Sequence, residues 1–327
     1  MPREGSGFPW QRWHDLRVIH VSLPMRLLGA LTAVLLVTTG CWSGNAAEDG
    51  GSDPKTFGNL PAEIDYVALG DSYSAGPLVT TLRSDPSGCF RSTDNYPAFL
   101  AGWLGVQTYT DVTCSAADTR DLSGRQKMLD GKRVSPQLDV LTAETDLVTV
   151  GIGGNDFGIF SSLTDCADEC SAQAQKRLMR DVGRVAGRVQ EVVTAIAKRS
   201  PDAQVYVVGY PQVLPEGKSC RAVPLTAAEL DAASQIAEGL NESLAAGAAA
   251  ADATYVDVST ASEGHDVCAG KAAWINGPKM RPGIAAAFHP MLDGMRGVAG
   301  EVFSEITGGA APDAERAEPP ADAFVSN

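Results

Sequence analysis

The residues of this chain that could carry a reaction fall in three places. Gly70-Asp71-Ser72-Tyr73-Ser74 follows one short apolar run, Gly153-Gly154-Asn155-Asp156 follows another, and His289-Pro290 stands near the C-terminus. A serine where a strand gives way to a helix aims its hydroxyl at a cleft, and its own amide is among the unpaired donors of the helix start. Such a serine is also a common N-cap, so position alone does not make Ser72 a nucleophile. The glycines before Asn155 let the backbone turn tightly against a ligand. Asn155 then either offers its amide to the same cleft or forms an ordinary Asn-Asp turn.

A nucleophilic serine needs a base, and histidine is scarce. Of four His, His14 and His20 precede an apolar leader, which leaves His265 and His289. His289 lies in a loop ahead of a helix, whereas His265 lies in Gly264-His265-Asp266-Val267-Cys268 beside a cysteine expected to be bridged. His289 is therefore preferred as general base and His265 is read as a structural or rim residue. A neutral imidazole titrating at about 6.5 can take the serine proton at neutral pH. Neither G-x-G-x-x-G nor G-x-x-x-x-G-K-[ST] occurs, which removes the signal for a nucleotide. The absence of G-x-S-x-G argues against the α/β-hydrolase version of serine catalysis.

Elements must bring these groups together. Short runs at residues 66–69, 106–112, 147–150, 205–208 and 255–258 have strand character. Between the third and fourth, Leu178, Val182, Val185, Val189, Val192 and Ile196 recur at the spacing of one helix face. Between the fourth and fifth, Thr226-Ala-Ala-Glu229 is a capping box that opens another helix. The β-α alternation predicts an α/β domain with a mostly parallel five-stranded sheet, helices on both faces and its site at the carboxyl ends of the strands.

Composition bounds the rest. With 26 Lys and Arg against 40 Asp and Glu, the 327-residue chain carries 26 − 40 = −14 charges, which argues against nucleic acid as a partner. A hydrophobic share of 44% is enough for a real core. Leu27 to Val37 is an unbroken apolar or small run after Arg26. It is shorter than the roughly 20 residues of a spanning helix and has the form of a secretory signal. Thr38-Thr39-Gly40-Cys41 resembles a bacterial lipobox, with Thr38 where Leu is usual, so lipid on Cys41 is expected, with free secretion as the alternative. Residues 1–24 are long and polar for such a leader, so Met25 stands beside Met1 as an alternative start. The domains expected are a leader over 1–40, a flexible tether over 41–60, a catalytic domain over 61–307 and a disordered tail over 308–327. Setting Cys41 aside, six cysteines remain of seven. Three disulfides are the simplest outcome in an oxidising compartment, and ligand spacing for zinc is missing.

Taken together, Gly70-Asp71-Ser72-Tyr73-Ser74, Gly153-Gly154-Asn155-Asp156 and His289-Pro290 resemble three ordered blocks of the SGNH (GDSL-type) hydrolases, most of all the secreted actinobacterial esterases and lipases. The likeness runs from about Ile64 to Ala299 and includes Cys114-Ser115-Ala116-Ala117. It implies a flavodoxin-like three-layer α/β/α fold and hydrolysis of small-molecule or lipid esters through an acyl-enzyme, without cofactor or metal. By resemblance Ser72 is the nucleophile and His289 the base. The amides of Ser72 and Ala116 and the side chain of Asn155 form the oxyanion hole. Cysteines pair in order, Cys89 with Cys114, Cys166 with Cys170 and Cys220 with Cys268.

Two departures stand out. Ala116 replaces an oxyanion glycine, and Ala286 stands where a triad would have Asp. A Ser-His dyad is therefore expected, with a backbone carbonyl, that of Ala286, orienting His289. A monomer is expected, touching membrane only through a lipid on Cys41. The competing readings are a carbohydrate or peptidoglycan O-acetyl esterase and a ligand-binding lipoprotein without catalysis.

Overall fold

The computed structural model describes residues 59–163 and 171–320. The leader, most of the tether, Cys41, Cys166 and Cys170 lie outside the described residues.

Five parallel strands form one sheet in the order β2-β1-β3-β4-β5. They are β1 (Asp65–Gly70), β2 (Thr108–Asp111), β3 (Leu147–Gly151), β4 (Gln204–Val208) and β5 (Thr254–Val256). β3 is buried along its whole length, as expected for a strand covered on both faces. Side chains alternate across the sheet. Tyr66, Ala68, Leu147, Tyr206 and Val208 face one core with Phe99, Leu100, Val302 and Phe303. Val67, Leu69, Val148, Val150 and Val207 face another with Val189, Ile196, Leu240 and Leu244. The α/β/α layering expected from the alternation is the observed one.

The first face is covered by α2 (Tyr96–Leu104) and by a C-terminal helix described below, the second by α4 (Ala172–Gly183), α5 (Val185–Arg199) and α6 (Ala227–Ala249). Shorter helices are α1 (Ser72–Ala75), α3 (Thr119–Ser123) and α7 (Val258–Ala261), and the last helix among the described residues is α8 (Leu292–Thr307). The single periodic run around Leu178 to Ile196 divides at Arg184, whose N–H bonds back to Asp181 and Val182 after Gly183. The apolar stripe continues across this break, so spacing alone does not reveal it. The capping box forms: Thr226 Oγ1 accepts from Glu229 N, and a Glu229 carboxylate oxygen accepts from Thr226 N. The fifth strand stops at Val256 because Asp257 caps α7 through Thr260 N.

Among the described residues two disulfides are formed, Cys89–Cys114 and Cys220–Cys268. The segment after Gly308, expected to be disordered, is tied down in its described part. Ala311 and Ala317 pack against the first core, and Asp94 accepts from Ala317 N at 3.1 Å and from Arg316 at 3.2 Å. Short apolar side chains and a buried carboxylate hold a stretch whose composition alone reads as coil. Among the described residues no helix is long and apolar enough to cross a membrane.

Strand order reverses between β1 and β3, whose ends pair Gly70 with Gly151. A crevice opens at such a switch point, outside the carboxyl ends of the strands. The first two sequence blocks are the loops that follow these two strands.

Candidate active site

Ser72 begins α1 directly after β1, and its place as a possible N-cap is taken by its neighbour: Asp71 accepts from Tyr73 N at 2.9 Å. The Ser72 hydroxyl is thereby left for another partner. Gly70 makes the turn possible, with φ of +151° and a position where a Cβ would lie 2.6 Å from the Gly151 carbonyl. Gln137, buried beneath it, binds both Gly70 N (2.8 Å) and Gly70 O (2.9 Å). The inner carboxylate of Asp71 accepts from Tyr210 Oη at 2.6 Å, and the same Oη accepts from Gly154 N at 2.8 Å. Burial pushes Asp71 up to about 7 against the opposing pull of these donors.

Ala116 occupies the third position of a turn closed by Ala117 N to Cys114 O at 3.1 Å. Its φ is +66°, in the left-handed region where a Cβ is strained. An alanine here carries a conformational cost that a glycine would not. Gln126 steadies the turn through Ser115 O at 2.9 Å.

Asn155 follows β3 and donates through Nδ2 to Ala117 O at 2.9 Å. Next to it, buried Asp156 accepts from Thr119 N at 3.0 Å and from Thr119 Oγ1 at 2.5 Å. Burial raises its pKa, with both Thr119 bonds opposing. The loop after β3 is thus stitched to the Cys114–Ala117 turn and to the start of α3. Gly154 is required by close approach, since a Cβ there would sit 2.0 Å from the Phe160 ring.

His289 comes from the loop before α8 and places Nε2 2.8 Å from Ser72 Oγ. Its Nδ1 lies 2.8 Å from the carbonyl of Ala287, not that of Ala286. The expectation for Ala286 is corrected by the turn itself: its carbonyl already accepts from His289 N at 3.3 Å and from Asn276 Nδ2 at 2.9 Å. Phe288, with φ of +58°, carries the chain round so that the ring meets Ala287. A carbonyl can only accept, so Nδ1 carries the proton and Nε2 is left to accept from the serine. Burial lowers His289 to about 4, the Ala287 bond opposing.

His265 lies elsewhere, its Nδ1 2.6 Å from Ala272 O and its ring stacked on Trp274 at 4.7 Å. Asp266 accepts from Cys268 N, and exposed Asp293 faces Arg296. Among the described residues no cluster of His, Cys, Asp or Glu is placed to hold a metal ion. Tyr210 and Asn276 shape the site without a mark in their sequence neighbourhoods. Asp156 stood inside a recognised block, and Gln137 in Pro136-Gln137-Leu138, a further stretch that resembles the family.

This geometry has known counterparts. The family model of the GDSL-like lipase/acylhydrolase family matches residues 68–296. Lipase 2 of Streptomyces coelicolor is 37% identical over 254 residues, covering 72% of this chain and 83% of that protein. The extracellular lipase of Streptomyces rimosus is 31% identical with a TM-score of 0.64, over 74% of this chain and 99% of that one. Phospholipase A1 of Streptomyces albidoflavus NA297 is likewise 31% identical, with a TM-score of 0.65, over 75% and 99%. The family model, the sequence identity and the structural likeness over most of the domain agree: this chain belongs to the GDSL-like lipase/acylhydrolase family and is a carboxylic ester hydrolase.

Proposed function

We propose that the protein is an exported serine esterase or lipase that works through an acyl-enzyme with a Ser72-His289 dyad. The observation that carries this reading is the 2.8 Å contact between Ser72 Oγ and His289 Nε2, with Nδ1 of the same ring on the Ala287 carbonyl. His289 Nε2 takes the hydroxyl proton as Ser72 Oγ bonds to the ester carbonyl carbon, and the carbonyl π electrons move onto oxygen. The oxyanion is met by the Ser72 and Ala116 amides and by Asn155. Collapse of the intermediate expels the alcohol, which takes the proton from His289. Water then attacks the acyl-serine with His289 again as base, releasing the acid and restoring Ser72. Each step draws on groups of this chain and water.

The substrate class proposed is an acyl ester of lipid type, supported by the lipase and phospholipase A1 names of relatives at 31% identity or more. Export is supported by the apolar leader, by the disulfides and by the extracellular relative. A lipid on Cys41 would anchor the enzyme at a membrane surface, and mass spectrometry of the mature N-terminus separates anchored from free protein. Ser72→Ala is expected to abolish hydrolysis with the fold intact, and a fluorophosphonate is expected to label Ser72. Full activity in that variant would end the mechanism. A series of p-nitrophenyl esters of increasing acyl length is expected to peak beyond acetate. A maximum at acetate would favour O-acetyl ester hydrolysis instead.

A further inference from the structure

The loop from Ala285 to His289 forms neither helix nor strand, yet each of its carbonyls accepts a hydrogen bond. Asn276 Nδ2 serves Ala285 O and Ala286 O, and Asn276 N serves His289 O, each at 2.9 Å. Ala287 O meets His289 Nδ1 at 2.8 Å. The remaining carbonyl, that of Phe288, accepts from Tyr73 Oη at 2.8 Å. Tyr73 is the residue after Ser72, so this bond ties the turn of the nucleophile to the loop of the base.

The ring of Tyr73 makes a second tie. It lies against the His289 imidazole with centroids 4.7 Å apart and planes 31° from parallel. The tyrosine is itself braced, edge-on to Tyr210 at 5.1 Å and tilted against Phe160 at 5.4 Å, while its N–H is fixed on Asp71. Burial raises the phenol's pKa further above its ordinary value, so Tyr73 remains a donor at every working pH.

A carbonyl acceptor on Nδ1 selects the tautomer but leaves the imidazole free to rock about that bond. A triad carboxylate restrains the ring more firmly and favours the imidazolium. An aromatic face against the ring supplies both restraint and attraction for a developing cation. Holding the Phe288 peptide also fixes a turn that a left-handed φ would otherwise strain open.

We propose that Tyr73 is the positioning residue that does the orienting work of the missing triad acid, its ring carrying the His289 imidazole and its hydroxyl the Phe288 peptide. This rests on Ser72 and His289 being nucleophile and base. Nucleophile and base are then aligned by neighbouring residues of one short turn.

The test compares wild type, Tyr73→Phe and Tyr73→Leu for kcat and KM on p-nitrophenyl butyrate and for the rate at which a fluorophosphonate labels Ser72. Tyr73→Phe keeps the ring and loses the Phe288 bond. It is expected to lower kcat and labelling rate together, by roughly tenfold, with KM unchanged, and Tyr73→Leu by roughly 100-fold, the scale of a misplaced reacting group. Should the leucine variant not fold, the phenylalanine variant decides alone. Unchanged kcat and labelling in Tyr73→Phe would overturn the proposal, as would a loss confined to KM, which would make Tyr73 a substrate contact. Wild-type protein that hydrolyses esters but resists labelling at Ser72 would instead overturn the dyad beneath it.

Discussion

Asn155 gives one of its two amide protons to the carbonyl of Ala117 at 2.9 Å. The bond orients the side chain and binds the loop after β3 to the turn that carries Ala116, leaving one proton to meet an oxyanion. Two of the three proposed donors are therefore fixed to each other before substrate arrives. Preorganisation of this kind lowers the barrier because no donor has to reorient during the reaction.

Asn155→Ala is expected to lower kcat by roughly 100- to 1000-fold, the loss typical of one oxyanion donor. Steady-state kinetics on a p-nitrophenyl ester check this. A change confined to KM would make Asn155 a substrate contact.

Ala116→Gly should be more stable, not less. The φ of +66° strains an alanine by about 1 kcal/mol or more, and the greater freedom of glycine in the unfolded chain offsets part of the relief. A net gain of up to about 1 kcal/mol in urea unfolding, with hydrolysis retained, is the expected outcome. Ala116→Val should lose both stability and activity, because a β-branched side chain fits that region worse.

The pH dependence follows from the burial of His289. The base acts when neutral, so the rate rises with pH through its ionisation, which burial draws from the ordinary 6.5 down toward about 4. Part of the residue reaches solvent, and water relieves some of that penalty, placing the midpoint of kcat/KM between these values. A midpoint at or above the ordinary value would contradict the geometry. Between the folded and unfolded pKa values the unfolded chain binds a proton that the native one rejects. The stability contribution of His289 is thus complete above the unfolded pKa and is lost as pH falls toward the folded one.

The Cys89–Cys114 bridge, whose closed loop spans a separation of 25 residues, should contribute about 3 kcal/mol through the unfolded chain. It also abuts the Ala116 turn, since Ser115 N donates to Cys89 O at 3.0 Å. A Cys89→Ala, Cys114→Ala double variant is expected to lose that stability and, while still folded, to show a lower kcat. An unchanged kcat would mean that Gln126 and the Asn155 bond hold the turn unaided.

The amino-acid sequence by itself determined the elements and the chemistry they carry. Apolar runs such as those of β1 and β3 specify strands wherever they are buried, the Thr226 to Glu229 box starts α6, and the three blocks name Ser72, Asn155 and His289, because spacing and turn chemistry are local properties. What only the tertiary structure decided lies between residues far apart in the chain. Ala287 rather than Ala286 meets the imidazole, because the backbone angles at Phe288 and the claim of Asn276 on Ala286 direct the carbonyls. Tyr73 reaches Phe288 and His289, Tyr210 joins Asp71 to Gly154, and residues 311–317 settle on the first core and Asp94. Each of these depends on how separate strands and loops converge at the β1–β3 crevice, and no local pattern records which hydrogen-bond donor will find which acceptor there.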